Sequence, residues 1–288
     1  MARAARAVAK GRAASVRMAR LRALDGRGPT LTQYLRKIRD WLATASGELA
    51  IGLPVFAAFP SSSDSQVLVI VLSIVLLVIS LGIHEAAHGW VALKCGDTTA
   101  RDLGRITLNP IAHIDPFRTI LLPLLLYYWG LPVFGGAKPV PVNFHRLRHP
   151  WRDMSLVAFA GPLSNFLLAI FFLTAWHFFV KTGLYNGAAG FDASRQSDLL
   201  PVVLMNACSL NILLAVFNLV PIPPLDGSRI LTWILPAPLR PSYTSIEPFG
   251  LFILFALLSW PPFGHAIYTV ERDVADSLVG LVTLGGRW

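Results

Sequence analysis

The sequence predicts an all-α polytopic membrane protein with about five to six transmembrane helices, and three observations lead to that fold class. Of the 288 residues, 54% are hydrophobic and only 14% are charged, whereas a soluble domain has about 25% charged residues. Two stretches of 27 residues, 154–180 and 199–225, contain no Asp, Glu, Lys or Arg. A soluble α/β enzyme, the alternative, has buried strands of only about 4–8 residues. The basic residues, finally, are concentrated in one tail and one loop, as in membrane proteins.

The hydrophobic segments define the predicted helices in chain order. A membrane helix needs about 20 apolar residues to cross a hydrocarbon core of roughly 30 Å. Two segments are weak candidates: residues 41–60 are interrupted by a glutamate and a proline, and residues 119–129 are too short to cross. Four segments are strong candidates, the last of them shorter and followed by two prolines: residues 66–92, 154–180, 199–225 and 249–260.

The loop of residues 137–152 sets the expected orientation. It contains four Lys or Arg and no acidic residue, which is typical of a cytoplasmic loop. The next two helices then leave the cytoplasm and return to it. If segment 66–92 runs inward, a full crossing by segment 119–129 would put the loop of residues 137–152 outside. Segment 119–129 must therefore enter and leave on the same side, as a re-entrant or interfacial segment. By the same count, a cytoplasmic N-terminus requires segment 41–60 to cross the membrane.

The first 40 residues form a basic tail with eleven Lys or Arg against two acidic residues, and the rest of the chain is neutral. Such a tail fits an organellar transit peptide, a basic cytoplasmic segment that touches anionic lipid, or a start codon assigned too far upstream. Because the excess charge is confined to the tail, the pI near 10.1 gives no support to nucleic-acid binding. We expect a tail (1–40), a possible first transmembrane segment and linker (41–64), a membrane core (65–235), and a C-terminal transmembrane helix and tail (236–288).

The segment LGIHEAAHGW, residues 81–90, places His84, Glu85 and His88 at the end of the first strong apolar segment. On a helix, His84 and His88 lie on one face and can hold one ion together. Two imidazoles suit zinc, and a glutamate beside the first can reach a water that the metal activates. The alternative is a pair of structural histidines bonded to neighbouring groups. It is less favoured at the end of an apolar helix, because unpaired polar groups in hydrocarbon cost several kcal/mol each.

A catalytic zinc site needs a third protein ligand and one open position. The best candidate is Asp226 in FNLVPIPPLDG, residues 217–227, just past the inward end of segment 199–225. Its depth is then close to that of the two histidines. The alternative is an Asp-Gly turn where the chain leaves the membrane.

Several segments together resemble the site-2 proteases, the intramembrane zinc metalloproteases of peptidase family M50, and most closely their compact prokaryotic branch without a PDZ insertion. The segments occur in the order found in that family, and they span roughly residues 66–235. They are HEAAHGWVALKCGD (84–97), GRITLNPIAHIDP (104–116), GGAKPVPVNF (135–144), AGPLSNFLLA (160–169) and NILLAVFNLVPIPPLDGSRIL (211–231).

The resemblance implies that His84, His88 and Asp226 bind one zinc ion and that Glu85 is the general base. It also implies that Asn165 lies near the metal, where an amide could hydrogen-bond the substrate or the oxyanion. A packing role for Gly161 and Asn165 on one helix stripe is the alternative.

His113 could orient a ligand or assist proton transfer, or it could be a hydrogen-bonded loop histidine. Asn211 and Asn218, seven residues apart on one face of the third strong helix, are expected to pair with the helix that carries Asn165.

The expected function is hydrolysis of peptide bonds within or next to a transmembrane segment of a membrane-anchored substrate. The partners are that substrate and the lipid bilayer, with no nucleic acid. Residues 138–143, with two prolines, are expected to form a short extended strand near the active site whose edge binds the substrate. The active site is expected near the cytoplasmic face, in a bacterial cell membrane or alternatively an organelle membrane. The alternative function is a membrane metal-ion transporter or binding protein.

Overall fold

The computed structural model describes residues 63–129, 135–182 and 199–282, and the regular structure in those ranges is helical, with no β-strand. Short 3-10 or π-helical turns lie between several of the α-helices. The α-helices are α1 Ser63–Lys94, α2 Thr99–Asp102, α3 Leu122–Tyr128, α4 Pro150–Lys181, α5 Leu199–Asn218, α6 Asp226–Ile234, α7 Arg240–Thr244, α8 Gly250–Leu258 and α9 Pro261–Val282.

Four helical segments of the described residues are long and apolar enough to cross a membrane, and they confirm the predicted polytopic all-α fold. The predicted segment 41–60 lies outside the described residues. Segment 119–129 forms the end of a π-helical turn and the short helix α3, so a re-entrant path for it stays a prediction. The four candidate spans are Val71–Lys94, Pro150–Phe179, Leu199–Asn218 and Ala237–Leu258.

The C-terminal region departs from the expectation at the proline pair after residue 260. Pro261 and Pro262 begin helix α9, which continues for 22 residues to Val282. Proline is favoured at the first turn of a helix, because the N–H groups there have no partner within the helix. The pair therefore marks the start of a further helix, which packs on α5 through the buried Ile267.

The main apolar core lies between α4 and α5, and α9 packs against it. Its buried residues include Ala169 and Leu173 from α4, and Ala207 and Ile212 from α5. Small residues at a helix interface let the two backbones approach closely, which is the usual basis of helix association in membranes. Helix α1 packs against both α4 and α5, so the helix with the HEAAH segment is held from two sides.

Polar pairs connect α5 to α1 inside this bundle. The amide of Asn206 donates to Ser73 Oγ at 3.3 Å, and that of Asn211 donates to Ser80 Oγ at 3.0 Å. All four side chains are buried. Such interhelical hydrogen bonds contribute roughly 0.6–2 kcal/mol each. The expected pairing of Asn211 with the helix of Asn165 is therefore wrong: its partner is on the metal-binding candidate helix α1.

Residues 138–143, which we call the strap, form no β-ladder in the described structure. Prolines at 139 and 141 remove two of its N–H donors, so regular pairing along this edge is not available. Three of its four remaining N–H groups bind outside the segment: Lys138 donates to the His113 carbonyl at 2.8 Å, Val140 to a Glu85 carboxylate oxygen at 2.8 Å, and Asn143 to an Asp97 carboxylate oxygen at 2.6 Å. The predicted strand is thus an irregular segment fixed by α1 and the loops that follow it.

Candidate metal centre

Three side chains from two helices converge at one buried point. His84 and His88 lie one turn apart on α1 and are 4% and 9% exposed. Asp226 is the first residue of α6, to which the chain returns after α5. A carboxylate in the first turn of a helix is favoured by the positive end of the helix dipole. The third ligand predicted from the sequence is therefore brought beside the two imidazoles.

The distances between the donor atoms match a zinc site. Asp226 Oδ2 lies 3.3 Å from His84 Nε2 and 3.4 Å from His88 Nε2, and the two Nε2 atoms lie 3.0 Å apart. Donor atoms around a tetrahedral zinc at about 2.0–2.1 Å are separated by about 3.3 Å. Among the described residues, a group of three or more such ligands occurs at this place. The donor set fits zinc and supplies three ligands, which leaves one position for water or substrate.

The hydrogen bonds behind the imidazoles set their tautomers. His88 Nδ1 lies 2.7 Å from the carbonyl oxygen of Val157, and His84 Nδ1 lies 3.2 Å from Asn165 Oδ1. An oxygen of this kind can only accept, so each Nδ1 carries a proton and donates. In neutral imidazoles the Nε2 atoms then present lone pairs to each other and to a carboxylate. That arrangement is repulsive unless a cation lies between them, which is the second sign that the residues fit a metal ion.

Helix α4 approaches the imidazoles so closely that it has no room for a side chain at position 161. A Cβ added to Gly161 would lie 2.5 Å from Cε1 of both His84 and His88. Side-chain carbons are normally separated from such atoms by about 3.5–4.0 Å. Gly161 is therefore required where α4 crosses the metal centre, and this requirement explains the glycine of the AGPLSN segment better than helix packing alone.

Glu85 is next to the ligands in sequence but is held by a different part of the chain. Its Oε2 accepts the N–H of Val140 at 2.8 Å. This bond fixes one carboxylate oxygen on the strap and leaves Oε1 for a water or substrate proton. The strap edge was expected to bind substrate, but its N–H at Val140 is used to orient the predicted base.

Asn165 is fully buried on α4 and contacts a ligand directly. Its Oδ1 accepts from His84 Nδ1 and, at 3.4 Å, from Ser164 Oγ. Its Nδ2 is buried with no hydrogen-bond partner among the described residues. A buried amide N–H without a partner is costly, so a bound group that accepts from Nδ2 would be stabilised there. The position supports the predicted location of Asn165 near the metal.

His113 lies close to α1 but away from the three ligand atoms. It is buried, and its Nε2 lies 3.0 Å from the Thr107 carbonyl. Its ring packs near Gly82, two residues before His84. Among the contacts of the described residues, none joins His113 to the ligand group. This is the arrangement of a hydrogen-bonded loop histidine, the second of its two predicted roles, and a part in catalysis stays a prediction.

Asp97, for which no role was predicted from the sequence, fixes the end of the strap. Its Oδ1 accepts from the N–H and hydroxyl of Thr99, and its Oδ2 accepts from the N–H of Asn143. Burial would raise the pKa of Asp97, but these hydrogen bonds from Thr99 and Asn143 hold it below its usual value. The sequence contained an indication of this role, because Asp97 in the CGD segment closely follows the helix that carries His84 and His88.

The fold and this centre together define a multi-pass membrane metalloprotease with an HExxH helix and a distant aspartate. A model of Peptidase family M50 matches residues 72–260, about two thirds of the chain. The chain therefore belongs to peptidase family M50, the family of the site-2 proteases, as its motifs indicated. It is a zinc metalloprotease, and zinc is its cofactor.

Curated relatives agree with this assignment, and the names of those described next all begin "Putative zinc metalloprotease". YwhC of Bacillus subtilis is 38% identical over 212 residues, which cover 72% of this chain and 89% of YwhC. Rip2 of Mycolicibacterium smegmatis is 29% identical over 77% of this chain and 81% of its own length. MJ0611 of Methanocaldococcus jannaschii is 26% identical over 77% of this chain and 92% of its own length. No solved structure matches the chain.

Proposed function

We propose that this metalloprotease is an intramembrane endopeptidase that hydrolyses peptide bonds within or next to the transmembrane segments of membrane-anchored proteins. One observation carries the proposal. His84 and His88 belong to the candidate span Val71–Lys94, and they are buried at its C-terminal end beside the partly buried Asp226. A protease centre built into the end of a membrane helix meets substrates that are themselves in or beside the membrane.

Each residue of the centre has a role that follows from its contacts. His84, His88 and Asp226 hold the metal through Nε2, Nε2 and Oδ2. When bound, zinc lowers the pKa of a water molecule toward about 7 and polarises the substrate carbonyl. Glu85, held at Oε2 by the strap, accepts the proton of the attacking water at Oε1 and passes it to the leaving amine.

Asn165 links the metal ligand to the substrate. Its Oδ1 keeps the proton of His84 on Nδ1, so that Nε2 remains a ligand. Its Nδ2 is the free donor at the centre and is positioned to stabilise negative charge on the substrate carbonyl oxygen as water adds. The amide therefore serves in both ligand orientation and oxyanion support.

The strap contributes to substrate binding through its carbonyl groups. Among the described residues, the carbonyls of Pro139, Val140, Pro141 and Val142 have no hydrogen-bond partner. An extended substrate segment can donate N–H groups to them in the manner of strand addition. The N–H of Val140 remains on Glu85 and takes no part in this pairing.

The location of the centre is proposed from charge. The loop of residues 137–152 is basic and contains no acid, which supports a cytoplasmic position. Helix α4 begins in that loop, and the metal centre lies against the first part of α4. We place the catalytic core, residues 65–235, in a bacterial cell membrane with its metal centre near the cytoplasmic face, where water can enter.

The direct test compares the wild type with Glu85→Gln in proteoliposomes. Both are expected to bind one zinc per chain, since Glu85 is not a ligand. Only the wild type is expected to cut a panel of single-span reporter proteins, with loss of at least about a hundredfold in the variant. Equal cleavage by both proteins would contradict the proposed mechanism. Zinc flux into the vesicles without cleavage would support the transporter alternative, which the clustering of the ligands at one depth disfavours.

A further inference from the structure

A cleft of about 380 Å³ lies outside the metal centre, and the proposed function leaves it without a role. One wall is formed by Val142, which belongs to the strap, and Phe144, which directly follows it. A second is formed by Trp151 and Met154 at the start of α4. The third comes from α6 and the segment after it, and it includes Arg229. Ligand-binding clefts in proteins have volumes of about 300–1,000 Å³, so this one is large enough for a bound group.

Each wall of the cleft continues an element that touches the metal centre. Met154 precedes Val157, the acceptor for His88, by three residues, and Arg229 follows Asp226 by three residues. Three residues of helix advance about 4.5 Å. Val142 follows Val140, the donor to Glu85, by two residues, or about 6.6 Å of extended chain. The three walls therefore continue from residues that belong to or contact the metal centre.

The chemistry of the walls selects an apolar group. Phe144 and Trp151 contact each other edge to face, with ring centroids 4.8 Å apart, and Met154 and Val142 add aliphatic surface. Arg229 forms an ion pair with Glu247 through both carboxylate oxygens. The two charges at this wall are therefore neutralised by each other and do not demand a charged ligand.

We propose that this cleft is a specificity pocket that receives a large aliphatic or aromatic side chain of the substrate, near the cleaved bond. The proposal rests on the proposed endopeptidase function. Thr232 on α6 and Thr244 on α7 line the pocket from different elements. The hydroxyl of each donates only to carbonyls of its own helical turn, such as those of Ser228 and Arg240 respectively. Replacement of either threonine removes only local hydrogen bonds, and a larger side chain at these lining positions reduces the volume of the cleft.

The test uses zinc-loaded full-length protein and a library of single-span reporters randomised across the cytoplasmic membrane border, with cut sites mapped by mass spectrometry. The wild type is expected to prefer Leu, Met or Phe at one position near the cut. Thr232→Met and Thr244→Leu, which fill the pocket, should reduce that preference about tenfold and favour Ala or Ser at the same position. Met154→Ala, which enlarges the pocket, should extend the residue preference at that position to include Trp. Zinc content reports whether the metal centre of each variant is intact.

The matched control is Ile234→Met, on the same helix but 65% exposed, which should leave the cleavage profile unchanged. If the wild type cuts reporters in a Glu85-dependent manner but shows no residue preference near the cut, the assignment of the cleft as a specificity pocket is contradicted and the proposed function is not. The same conclusion follows if a preference exists and neither Thr232→Met nor Thr244→Leu changes it. A wild type that cuts no reporter would contradict the proposed function itself, and the pocket with it.

Discussion

Two oxygen atoms on helix α4 decide which nitrogen of each imidazole faces the metal centre. The Val157 carbonyl and the Asn165 amide oxygen hold protons on Nδ1 of His88 and His84. Both Nε2 atoms then point at Asp226 as acceptors. At the scale of single residues, the metal site therefore depends on groups that never touch the ion. Such supporting contacts typically change metal affinity by about 10- to 100-fold when removed.

Replacement of Asn165 by Ala tests this dependence. It leaves His84 Nδ1 without its acceptor, so we expect the zinc affinity to fall about 10- to 100-fold. The measurement is a competition titration with a zinc chelator on the purified protein. The matched control is Asn218→Ala, because the Asn218 amide donates only to the Leu214 carbonyl of its own helix. Unchanged zinc affinity in the Asn165 variant would show that its amide does not support His84.

Gly161→Ala tests the close approach of α4 to the ligands. The added methyl group would lie 2.5 Å from both imidazoles, so the histidines or the helix must move. We expect at least about tenfold weaker zinc binding, with the helical circular dichroism spectrum retained. The same substitution at Gly280 of α9 is the control, because an added Cβ there meets nothing within 4 Å. Equal zinc binding by the two variants would contradict the inferred steric role.

At the scale of elements, the irregular strap illustrates what sequence patterns cannot provide. The spacing of His84 and His88 is local, and the i, i+4 geometry of a helix predicted their shared face. Asp226 was found because its motif is itself distinctive. The N–H of Val140 and the carbonyl of Val157 are backbone groups: every residue has the carbonyl, and every residue except proline has the N–H. No residue identity could therefore have predicted that these two groups orient Glu85 and His88.

The partner of a helix face is similarly hidden from the sequence. Asn211 was predicted to join α5 to another helix, and it does so, but its partner is Ser80 of α1 and not the helix of Asn165. Asn218, predicted to act with it, donates only to the Leu214 carbonyl of its own helix. The identity of a polar residue does not indicate which neighbouring helix it contacts. The proline pair before α9 has the same ambiguity, because proline can end one helix and begin the next.

Helix α9 carries a buried acid that makes the stability of the fold depend on pH. Glu271 is 5% exposed, and burial raises its pKa from 4.5 to about 7. The folded protein thus holds this proton more tightly than the unfolded chain. Stability is expected to fall as the pH rises from 4.5 to about 7 and to stay lower above that pH.

Glu271→Gln removes this effect. We expect the variant to unfold at a higher temperature than the wild type at about pH 8 and at nearly the same temperature at about pH 4.5. Thermal unfolding of the detergent-solubilised protein at the two pH values is the measurement. Asp273→Asn on the same helix, with a side chain that is 65% exposed, controls for removal of a charge. A stabilisation of the same size at both pH values would contradict titration of Glu271.

At the scale of the whole molecule, the membrane fold serves to bring distant parts of the chain together. Residues 84–88 and 226 are separated by two candidate spans, and α4 passes between them in the sequence while contributing Gly161, Val157 and Asn165 to the same centre. Composition and hydrophobic patterning predicted the class and most of the helices. The convergence of α1, α4 and α6 required the packed structure, because helix order alone permits several arrangements of the bundle.

Zinc K-edge X-ray absorption of the purified wild type and of Asp226→Ala tests that convergence most directly. For the wild type we expect one zinc per chain, with imidazole nitrogen and carboxylate oxygen donors at about 2.0–2.1 Å and no sulfur. Asp226→Ala should lose one oxygen donor and bind zinc at least about tenfold more weakly. A sulfur donor at about 2.3 Å, or a spectrum and affinity that do not change on loss of Asp226, would contradict a single metal centre built from α1 and α6.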